Sequence, residues 1–227
     1  MIVVIGGVKG GSGKTTVATN LAVMRALDGR DVLLVDADDQ ESSYSFSQVR
    51  SETRPGSSFS CIKLTGVPVG RECRKLATKY QDVIVDTGGR DTASQRSALS
   101  VADLALVPFK PRSLDVWTLG QAAQIITEAM GVNERLCAAT FLSMADSRGA
   151  DNREAAQVLE EMAVLPYSEL SLGNRKAFAN AAANGMAVTE LNPSDYKAEM
   201  EMKDLYKYVF HMTHIRSAFA EHMSSVS

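Results

Sequence analysis

The sequence predicts an α/β fold: a single domain covering residues 1–227, built on a mostly parallel, twisted sheet with helices on both faces. Three observations predict it. Short apolar runs of strand length alternate with longer segments of helical periodicity, an order typical of parallel sheets. The apolar runs are continuous, as expected for strands that are buried on both faces. A glycine-rich loop also joins the first strand to the first helix.

Each predicted element depends on a local pattern. In the first helix, Val17, Leu21 and Met24 recur at helical spacing, and Asp28-Gly29-Arg30 ends it. The predicted strands cover residues 2–5, 32–35, 61–64, 83–85, 104–107 and 138–142. The predicted helices cover residues 14–27, a segment that ends near residue 54, residues 71–79, 114–130 and 196–222. The remainder of the C-terminal region is predicted to be mostly helical.

The composition is that of an ordinary globular chain, with 45% hydrophobic and 22% charged residues. No apolar run reaches the roughly 18 residues of a membrane-spanning helix, and the first residues lack the basic leader of a signal peptide. Cys61, Cys73 and Cys137 are widely spaced, which favours reduced thiols in a cytoplasmic protein. Because the formal net charge is −3, nucleic-acid binding would require a local basic patch.

The loop after the first strand has the residue types of a phosphate-binding site. Its glycines allow backbone N–H groups to converge on an anion, and the following helix N-terminus adds positive potential. Lys14 is then placed to reach the β- and γ-phosphates of ATP, and the Thr15 hydroxyl to ligate Mg²⁺. Val8 stands where the strict pattern has its first glycine. We therefore predict a P-loop NTPase fold whose nucleotide-binding residues are Gly10, Gly11, Ser12, Gly13, Lys14, Thr15 and Thr16.

At this loop the chain resembles the deviant Walker A ATPases, the group of the ParA partition proteins, MinD and the nitrogenase iron protein. The resemblance extends from residue 1 to about residue 185 and is densest in the first 120 residues. In that group an early lysine of the loop crosses an ATP-sandwiched dimer interface and touches the partner's nucleotide. Lys9 matches this lysine, so the resemblance implies a homodimer that forms on ATP binding, with Lys9 and Lys14 both in the catalytic site.

Aspartates follow two of the predicted strands at the edge where an α/β sheet binds its ligands. Carboxylates there can hold Mg²⁺ and its waters, or orient an attacking water. Residues 35–40 resemble the ParA-type motif D-x-D-P-Q. This likeness implies that Asp36 supports the magnesium shell and that Asp38 positions the attacking water, while Asp39 replaces the usual proline.

The strand that ends at Asp86 resembles a Walker B strand, with Asp86 as a further magnesium residue. Residues 87–91 then resemble its switch loop. The family often has prolines after this aspartate, whereas this chain has Gly88 and Gly89. Glycines suit a loop that changes shape on hydrolysis, and they suit a plain turn nearly as well.

Two segments are candidates for a surface that binds DNA. Residues 172–178 resemble the ParA-type segment near the base-binding and DNA-facing surfaces, where Arg175 and Lys176 would contact the phosphate backbone without reading sequence. A solvated helix face explains this cationic pair equally well. The second candidate is the stretch from residue 50 to 79, whose basic residues are Arg50, Arg54, Lys63, Arg71, Arg74, Lys75 and Lys79.

Residues 108–115 resemble a family segment, P-x-x-P-S-x-x-D, that leads into a helix at the dimer face. Trp117 is the only tryptophan of the chain and falls on that predicted helix. Packing in the core or at an interface is the preferred prediction for it, rather than stacking on a nucleobase.

The favoured function is a ParA-like ATPase of the cytoplasm and nucleoid, with ATP and Mg²⁺ as its cofactors. It would dimerise on ATP, bind DNA nonspecifically and position or partition a cargo, and a ParB-like or cargo-adaptor protein would trigger hydrolysis. The alternative is a MinD-like membrane-surface ATPase, although the tip at residues 221–225 lacks the basic, strongly apolar character of a membrane-targeting helix, so no membrane partner is expected. An iron–sulfur reductase is disfavoured because no cysteine lies between Cys73 and Cys137. Small-molecule ligases share the architecture and stay open.

Overall fold

Seven parallel strands form one sheet in the computed structural model, which describes residues 1–56, 59–90, 92–113, 116–146, 150–162 and 164–210. The strands are β1 (Ile2–Ile5), β2 (Val32–Ala37), β3 (Ser60–Lys63), β4 (Asp82–Thr87), β5 (Leu104–Phe109), β6 (Cys137–Ala145) and β7 (Tyr167–Gly173). Their order across the sheet is β3-β2-β4-β1-β5-β6-β7, and each neighbouring pair is parallel. The predicted parallel sheet is therefore confirmed.

Helices cover both faces of this sheet. They are α1 (Lys14–Leu27), α2 (Ser42–Thr53), α3 (Pro68–Leu76), α4 (Ala93–Leu99), α5 (Val116–Met130), α6 (Asp151–Glu160), α7 (Lys176–Ala183) and α8 (Tyr196–Phe210). One apolar core lies between the sheet and α3 to α6, and a second lies between the sheet and α1, α2, α7 and α8. This arrangement explains the continuous apolar strands, since β1, β2, β4 and β5 are buried along their whole length.

The sheet topology positions the functional edge. The chain leaves β1 for β2 on one side and later returns to β5 on the other side, so the strand order reverses around β1. Ligands of open α/β sheets bind at such a reversal, beyond the carboxyl ends of the strands. In the register of β2 with β4, Asp36 pairs with Asp86, and Ile5 pairs with Asp86 in the register of β1 with β4. The predicted carboxylates therefore meet beside the glycine-rich loop.

Three observed elements differ from the prediction. Helix α3 begins at Pro68 and ends at Leu76, earlier than the predicted 71–79, because proline is well placed in the first turn of a helix. Helix α4 was not predicted, because it is only seven residues long; its start is capped by Thr92, whose hydroxyl accepts from Gln95 N at 3.1 Å. Strand β7, a half-exposed and largely polar strand at the sheet edge, was not predicted, whereas most of the described residues of the C-terminal region are helical as predicted.

Two of the predicted helices extend beyond the residues that the structure describes. Residues 114 and 115, at the start of the predicted helix 114–130, lie outside the described residues, and so do residues 211–222 of the predicted last helix. In the part of the chain that the structure describes, no helix combines the length and the apolarity needed to cross a bilayer.

Candidate functional site

The loop between β1 and α1 has the backbone shape of a phosphate cradle. Gly11 and Gly13 have φ angles of 71° and 87°, which side chains other than glycine rarely adopt, and Gly13 immediately precedes the first turn of α1. A Cβ atom on Gly13 would lie 2.7 Å from Ser143 Oγ at the end of β6, so this glycine also allows a close approach. A Cβ on Gly10 or Gly11 would meet nothing within 4 Å, so the loop faces open space.

Lys14 lies beneath this loop and is only 6% exposed. Its Nζ donates a hydrogen bond to the backbone oxygen of Lys9 at 2.9 Å. Burial lowers the pKa of the Lys14 amine, and the charges of Asp86 and Asp38 oppose that shift. The ammonium group is thus held at the mouth of the loop, where phosphate oxygens can replace the Lys9 carbonyl as its partner.

Asp36 is fixed by backbone donors at the end of β2. Its Oδ1 accepts from Asp38 N at 3.1 Å, and its Oδ2 accepts from Tyr44 N at 2.8 Å. Burial raises the pKa of this carboxyl, and the backbone hydrogen bonds oppose the rise. Asp36 therefore shapes the turn that leads to Asp38 and lies in register with Asp86.

Asp86 has one satisfied and one unsatisfied oxygen. Its Oδ2 accepts from Ser43 Oγ at 2.6 Å, whereas its Oδ1 is buried and has no hydrogen-bond partner among the described residues. Burial raises the pKa of Asp86 to about 6, and hydrogen bonding by Ser43 and the nearby Thr15 hydroxyl opposes the rise. A buried carboxylate oxygen without a partner normally requires an ion or a water.

These residues fit a magnesium ion. Thr15 and Asp86 supply hard oxygen donors beside the phosphate loop, as Mg²⁺ prefers. Within the described ranges, no group of three His, Cys, Asp or Glu side chains is arranged to hold a metal by itself. A magnesium ion at this position would therefore be shared with the phosphates of a nucleotide, which is its usual arrangement in such sites.

Asp38 lies opposite the loop that follows β4. Its Oδ1 accepts from Gln40 N at 3.2 Å, and a Cβ on Gly88 would lie 3.3 Å from the same oxygen. A Cβ on Gly89 would lie 2.5 Å from both Cα and N of Gly10, closer than real contacts allow. The two glycines of this loop therefore permit it to pack against Asp38 and the phosphate loop at once.

These elements enclose a cleft of about 680 Å³. It is lined by Gly10, Gly11, Gly13, Lys14, Thr15, Thr16, Asp38, Asp39, Gln40, Ser42, Gly88, Gly89, Arg90, Thr92 and Met144. Most of the predicted site residues are thus brought together. Ser12 and Lys9 instead line a small neighbouring recess beside Pro108 and Phe109, and Ser12 is largely buried there. Asp36 and Asp86 lie buried at the adjacent sheet edge.

A second, more apolar pocket of about 160 Å³ shares Gly13, Thr16 and Met144 with this cleft. The pocket includes Phe178, which belongs to the predicted segment of residues 172–178, and Ser143, which sequence reasoning missed as a site residue. Met144 has a φ of 54°, an unusual backbone conformation that brings it to the junction of the two spaces. The missed signal was the carboxyl end of β6, which a parallel sheet places at the ligand edge.

The predicted DNA-contacting pair is divided between two environments. Arg175 Nε donates to Glu201 Oε2 at 3.0 Å, and the same oxygen accepts from Gly173 N at 2.9 Å. Hydrogen bonding to Glu201 raises the pKa of the Arg175 guanidinium. Lys176 is exposed. DNA contact by this pair stays a prediction, in which Lys176 presents the more accessible charge.

Arg50, one residue of the second basic stretch, is buried and not available to a surface that binds DNA. Arg50 is only 1% exposed; its Nη1 donates to Gly185 O and to Glu190 Oε2, each at 2.8 Å. A buried arginine with these partners holds α2 against the segment before α8, so including Arg50 in a DNA-facing patch was wrong. The exposed cations of the stretch are Lys63 on β3, which pairs with Glu41, and four residues on and just after α3: Arg71, Arg74, Lys75 and Lys79.

Trp117 is 84% exposed on the first turn of α5, so the predicted packing in the core is wrong. The alternative prediction, packing at an interface, is compatible with this exposure. The three cysteines form no disulfide with one another. Burial raises the pKa of Cys61 to about 11 and that of Cys73 to about 12, so these two thiols are unreactive at neutral pH.

A cradle at a helix N-terminus, a buried lysine beneath it and carboxylates at the adjacent strand ends define a P-loop nucleotide-binding protein. Comparison with known families gives the particular group. The model of the CobQ/CobB/MinD/ParA nucleotide-binding domain matches residues 3–221, and the chain belongs to this family of ATPases.

Three similar proteins illustrate the range of the family. The maintenance of carboxysome distribution protein A of Halothiobacillus neapolitanus is 30% identical over 207 residues, which cover 90% of this chain and 94% of that protein. The ATP complex of McdA from Cyanothece superposes with a TM-score of 0.75 at 16% identity, over 92% of this chain and 95% of that one. Cobyrinic acid a,c-diamide synthase of Mycobacterium smegmatis, bound to an ATP analogue and magnesium, superposes with a TM-score of 0.76 at 16% identity. The superposition covers 93% of this chain and 94% of that one. The two structural likenesses show the shared fold alone.

Proposed function

We propose that this protein is a ParA-like ATPase that uses ATP to join two subunits and to position a cargo on DNA. The observation that carries the proposal is the cleft in which Asp38 faces the phosphate loop across Gly88 and Gly89. Nucleotide binding alone requires no carboxylate at this position, whereas hydrolysis requires a group that orients water. The nearly full-length likeness to a carboxysome distribution protein supports cargo positioning over small-molecule synthesis.

The residues of the cleft divide the work of hydrolysis. Lys14 exchanges its bond to the Lys9 carbonyl for bonds to the β- and γ-phosphates. Thr15 and Asp86 would hold Mg²⁺, which would neutralise phosphate charge, and Asp36 would support them from the neighbouring strand. Asp38 orients the water that attacks the γ-phosphate, and the backbone of Gly10 to Gly13 donates to the phosphate oxygens.

Lys9 acts between subunits. It lies at the start of the loop and does not line the nucleotide cleft of its own subunit. This position is the one expected of a lysine that contacts the partner's nucleotide. The ATP dimer binds DNA nonspecifically through local basic residues, with Lys176 and the cations near α3 as candidates. A ParB-like or cargo-adaptor protein stimulates hydrolysis, which separates the dimer and releases it from the nucleoid within the cytoplasm.

A MinD-like ATPase of the membrane surface is the alternative, and a liposome-binding assay with ATP separates it from a DNA binder. An iron–sulfur reductase would be recognised by the colour of the purified protein. A ligase of the family would require a second substrate and would consume ATP only in its presence.

Two substitutions test the proposal together. Asp38→Ala should bind ATP and form a stable dimer, but lower turnover by roughly 100-fold or more, because the water is no longer held in line. Lys9→Ala should bind ATP and stay monomeric. Light scattering and phosphate release, measured with ATP and with ADP, check both. Normal turnover by Asp38→Ala, or a normal ATP dimer of Lys9→Ala, would contradict the proposed mechanism.

A further inference from the structure

Arg90 enters the nucleotide cleft from the loop that follows β4. It comes four residues after Asp86, is exposed, and lines the same cleft as Lys14, Thr15 and Asp38. None of the functions assigned above to the glycine loop, the carboxylates or Lys9 requires an arginine at this position. Its place beside the phosphate-binding residues therefore calls for a role of its own.

The backbone explains how Arg90 comes to lie there. A Cβ on Gly89 would overlap Gly10 at 2.5 Å, which shows that the two backbones are in direct contact. Since Arg90 is the next residue, its Cα is held within one peptide unit of that contact. The side chain of an arginine is long enough to reach across the mouth of the phosphate loop from this anchor.

The charges of the cleft favour the same conclusion. Among its fifteen described lining residues, Lys14 and Arg90 are the cations, and Asp38 and Asp39 are the acids. Lys14 Nζ donates to the Lys9 carbonyl at the mouth of the loop, so Arg90 is the second cation placed to reach the phosphates. No described acidic residue forms an ion pair with Arg90, whereas Arg96, farther along the chain, pairs with Glu128. The guanidinium of Arg90 is thus available for a phosphate.

We propose that Arg90 contacts the γ-phosphate of the nucleotide bound in its own subunit, an inference that rests on the proposed ATPase function. In hydrolysis, the water oxygen bonds to Pγ, the bond from Pγ to the bridging oxygen breaks, and ADP leaves with that electron pair. The water's proton ends on the product phosphate or solvent. Negative charge spreads over the γ-phosphate oxygens and the bridge during this step, and a planar guanidinium stabilises such charge well.

Arg90 lies at the boundary between the nucleotide cleft and a second pocket. This second pocket has a volume of about 330 Å³ and includes none of the glycines of the phosphate loop. This pocket is lined by Val8, Arg90, Arg96, Gln121, Gln124 and Ile125. A contact from Arg90 to the γ-phosphate distinguishes ATP from ADP, because only ATP carries γ-phosphate oxygens.

The test compares Arg90→Ala and Arg90→Lys with a matched control, Arg96→Ala, which alters the neighbouring pocket but not the cleft. Affinities for ATPγS and for ADP are measured with magnesium by displacement of a fluorescent nucleotide. The Lys9→Ala background, at concentrations where light scattering shows monomers, excludes contacts from a second subunit. Turnover of ATP is measured in the wild-type background.

Arg90→Ala should weaken ATPγS binding roughly 10- to 100-fold and leave ADP binding within about 3-fold, since one charge-assisted contact to the γ-phosphate is lost. Turnover should fall by about 100-fold or more. Arg90→Lys should recover part of both, and Arg96→Ala should behave like the wild type. An unchanged ratio of ATPγS to ADP affinity in Arg90→Ala, or equal loss of both nucleotides, would overturn the inference. Failure of the wild type to bind either nucleotide would instead refute the proposed function.

Discussion

At the scale of single residues, the site contains buried charged groups whose burial is unfavourable, and a bound ligand would stabilise them. Asp86 is almost fully buried, one of its oxygens has no partner among the described residues, and Asp36 lies beside it on the next strand. Lys14 is buried nearby and has its pKa lowered by that burial. Charged groups persist in such surroundings when they bind something that stability alone does not require.

Asp86→Asn should stabilise the protein in the absence of magnesium and nucleotide, in a pH-dependent manner. Burial raises the pKa of Asp86 to about 6, so its contribution to stability is complete below its ordinary pKa and is lost as the pH rises through 6. The amide oxygen of asparagine still accepts from Ser43. The gain in unfolding free energy should be on the order of 2 kcal/mol at pH 8 and should shrink towards zero near pH 4.

Urea unfolding between pH 4 and pH 8 measures this gain. Asp39→Asn is the matched control, because Asp39 is an exposed aspartate of the same cleft, and its effect should be small at every pH. Two parallel stability curves for the wild type and Asp86→Asn would show that ionisation of Asp86 is not opposed by the fold.

At the scale of elements, the phosphate loop and the loop after β4 act as one packed unit. The contact between Gly89 and Gly10 leaves no room for a methyl group, so a larger residue would force the two loops apart. Helix α2 is fixed at both ends by hydrogen bonds to distant segments of the chain. Ser43 at its start bonds to Asp86, and Arg50 near its end is enclosed by Gly185 and Glu190.

Gly89→Ala should lower nucleotide affinity by roughly 10-fold or more with little loss of fold, because the strain falls on a loop and not on the apolar core. Gly120→Ala is the control: a Cβ there meets nothing within 4 Å, and alanine should stabilise α5 by about 0.5 to 1 kcal/mol. Nucleotide titration and thermal melting check the pair. Unchanged affinity of Gly89→Ala would mean that the loop contact is dispensable.

Arg50→Ala should lower the free energy of unfolding by about 3 to 5 kcal/mol, since it removes the buried partner of Glu190 and the donor to Gly185 O. Arg54→Ala removes a second arginine near the same carboxylate, at 3.7 Å and 40% exposed, and should cost less than about 1 kcal/mol. Chemical denaturation of both variants measures the difference. Equal costs would contradict a structural role for the buried arginine.

The sequence predicted those elements whose signals are local. Strand β1 and helix α1 were placed at their observed bounds because an apolar run, glycines and helical spacing coincide there. Helix α4 and strand β7 were missed because the first is short and the second is polar at the sheet edge. Likewise, residue types and spacing predicted Lys14 and Asp86, whereas Met144, Ser43 and the burial of Arg50 depend on packing between distant segments.

At the scale of the whole molecule, the residues of the candidate site lie together at the carboxyl-end edge of the sheet, and the rest of the fold holds them in place. The formal net charge is −3, so the proposed attraction to DNA would have to come from a local cluster of cations. Trp117 is exposed on α5, and Lys9 lies beside the cleft rather than within it. Both features are compatible with the proposed dimer, in which a second copy of the chain would contact these residues.

The most direct measurement is retention of the protein on DNA of unrelated sequences with ATP and with ADP. We expect retention with ATP, equal among the sequences, and at least 10-fold weaker binding when salt rises from about 50 to 200 mM, because phosphate contacts release counterions. Lys14→Ala should abolish retention with its fold intact, and Asp38→Ala should prolong it. Equal retention with ATP and ADP, or strong preference for one sequence, would contradict the proposed ATP-dependent positioning on DNA.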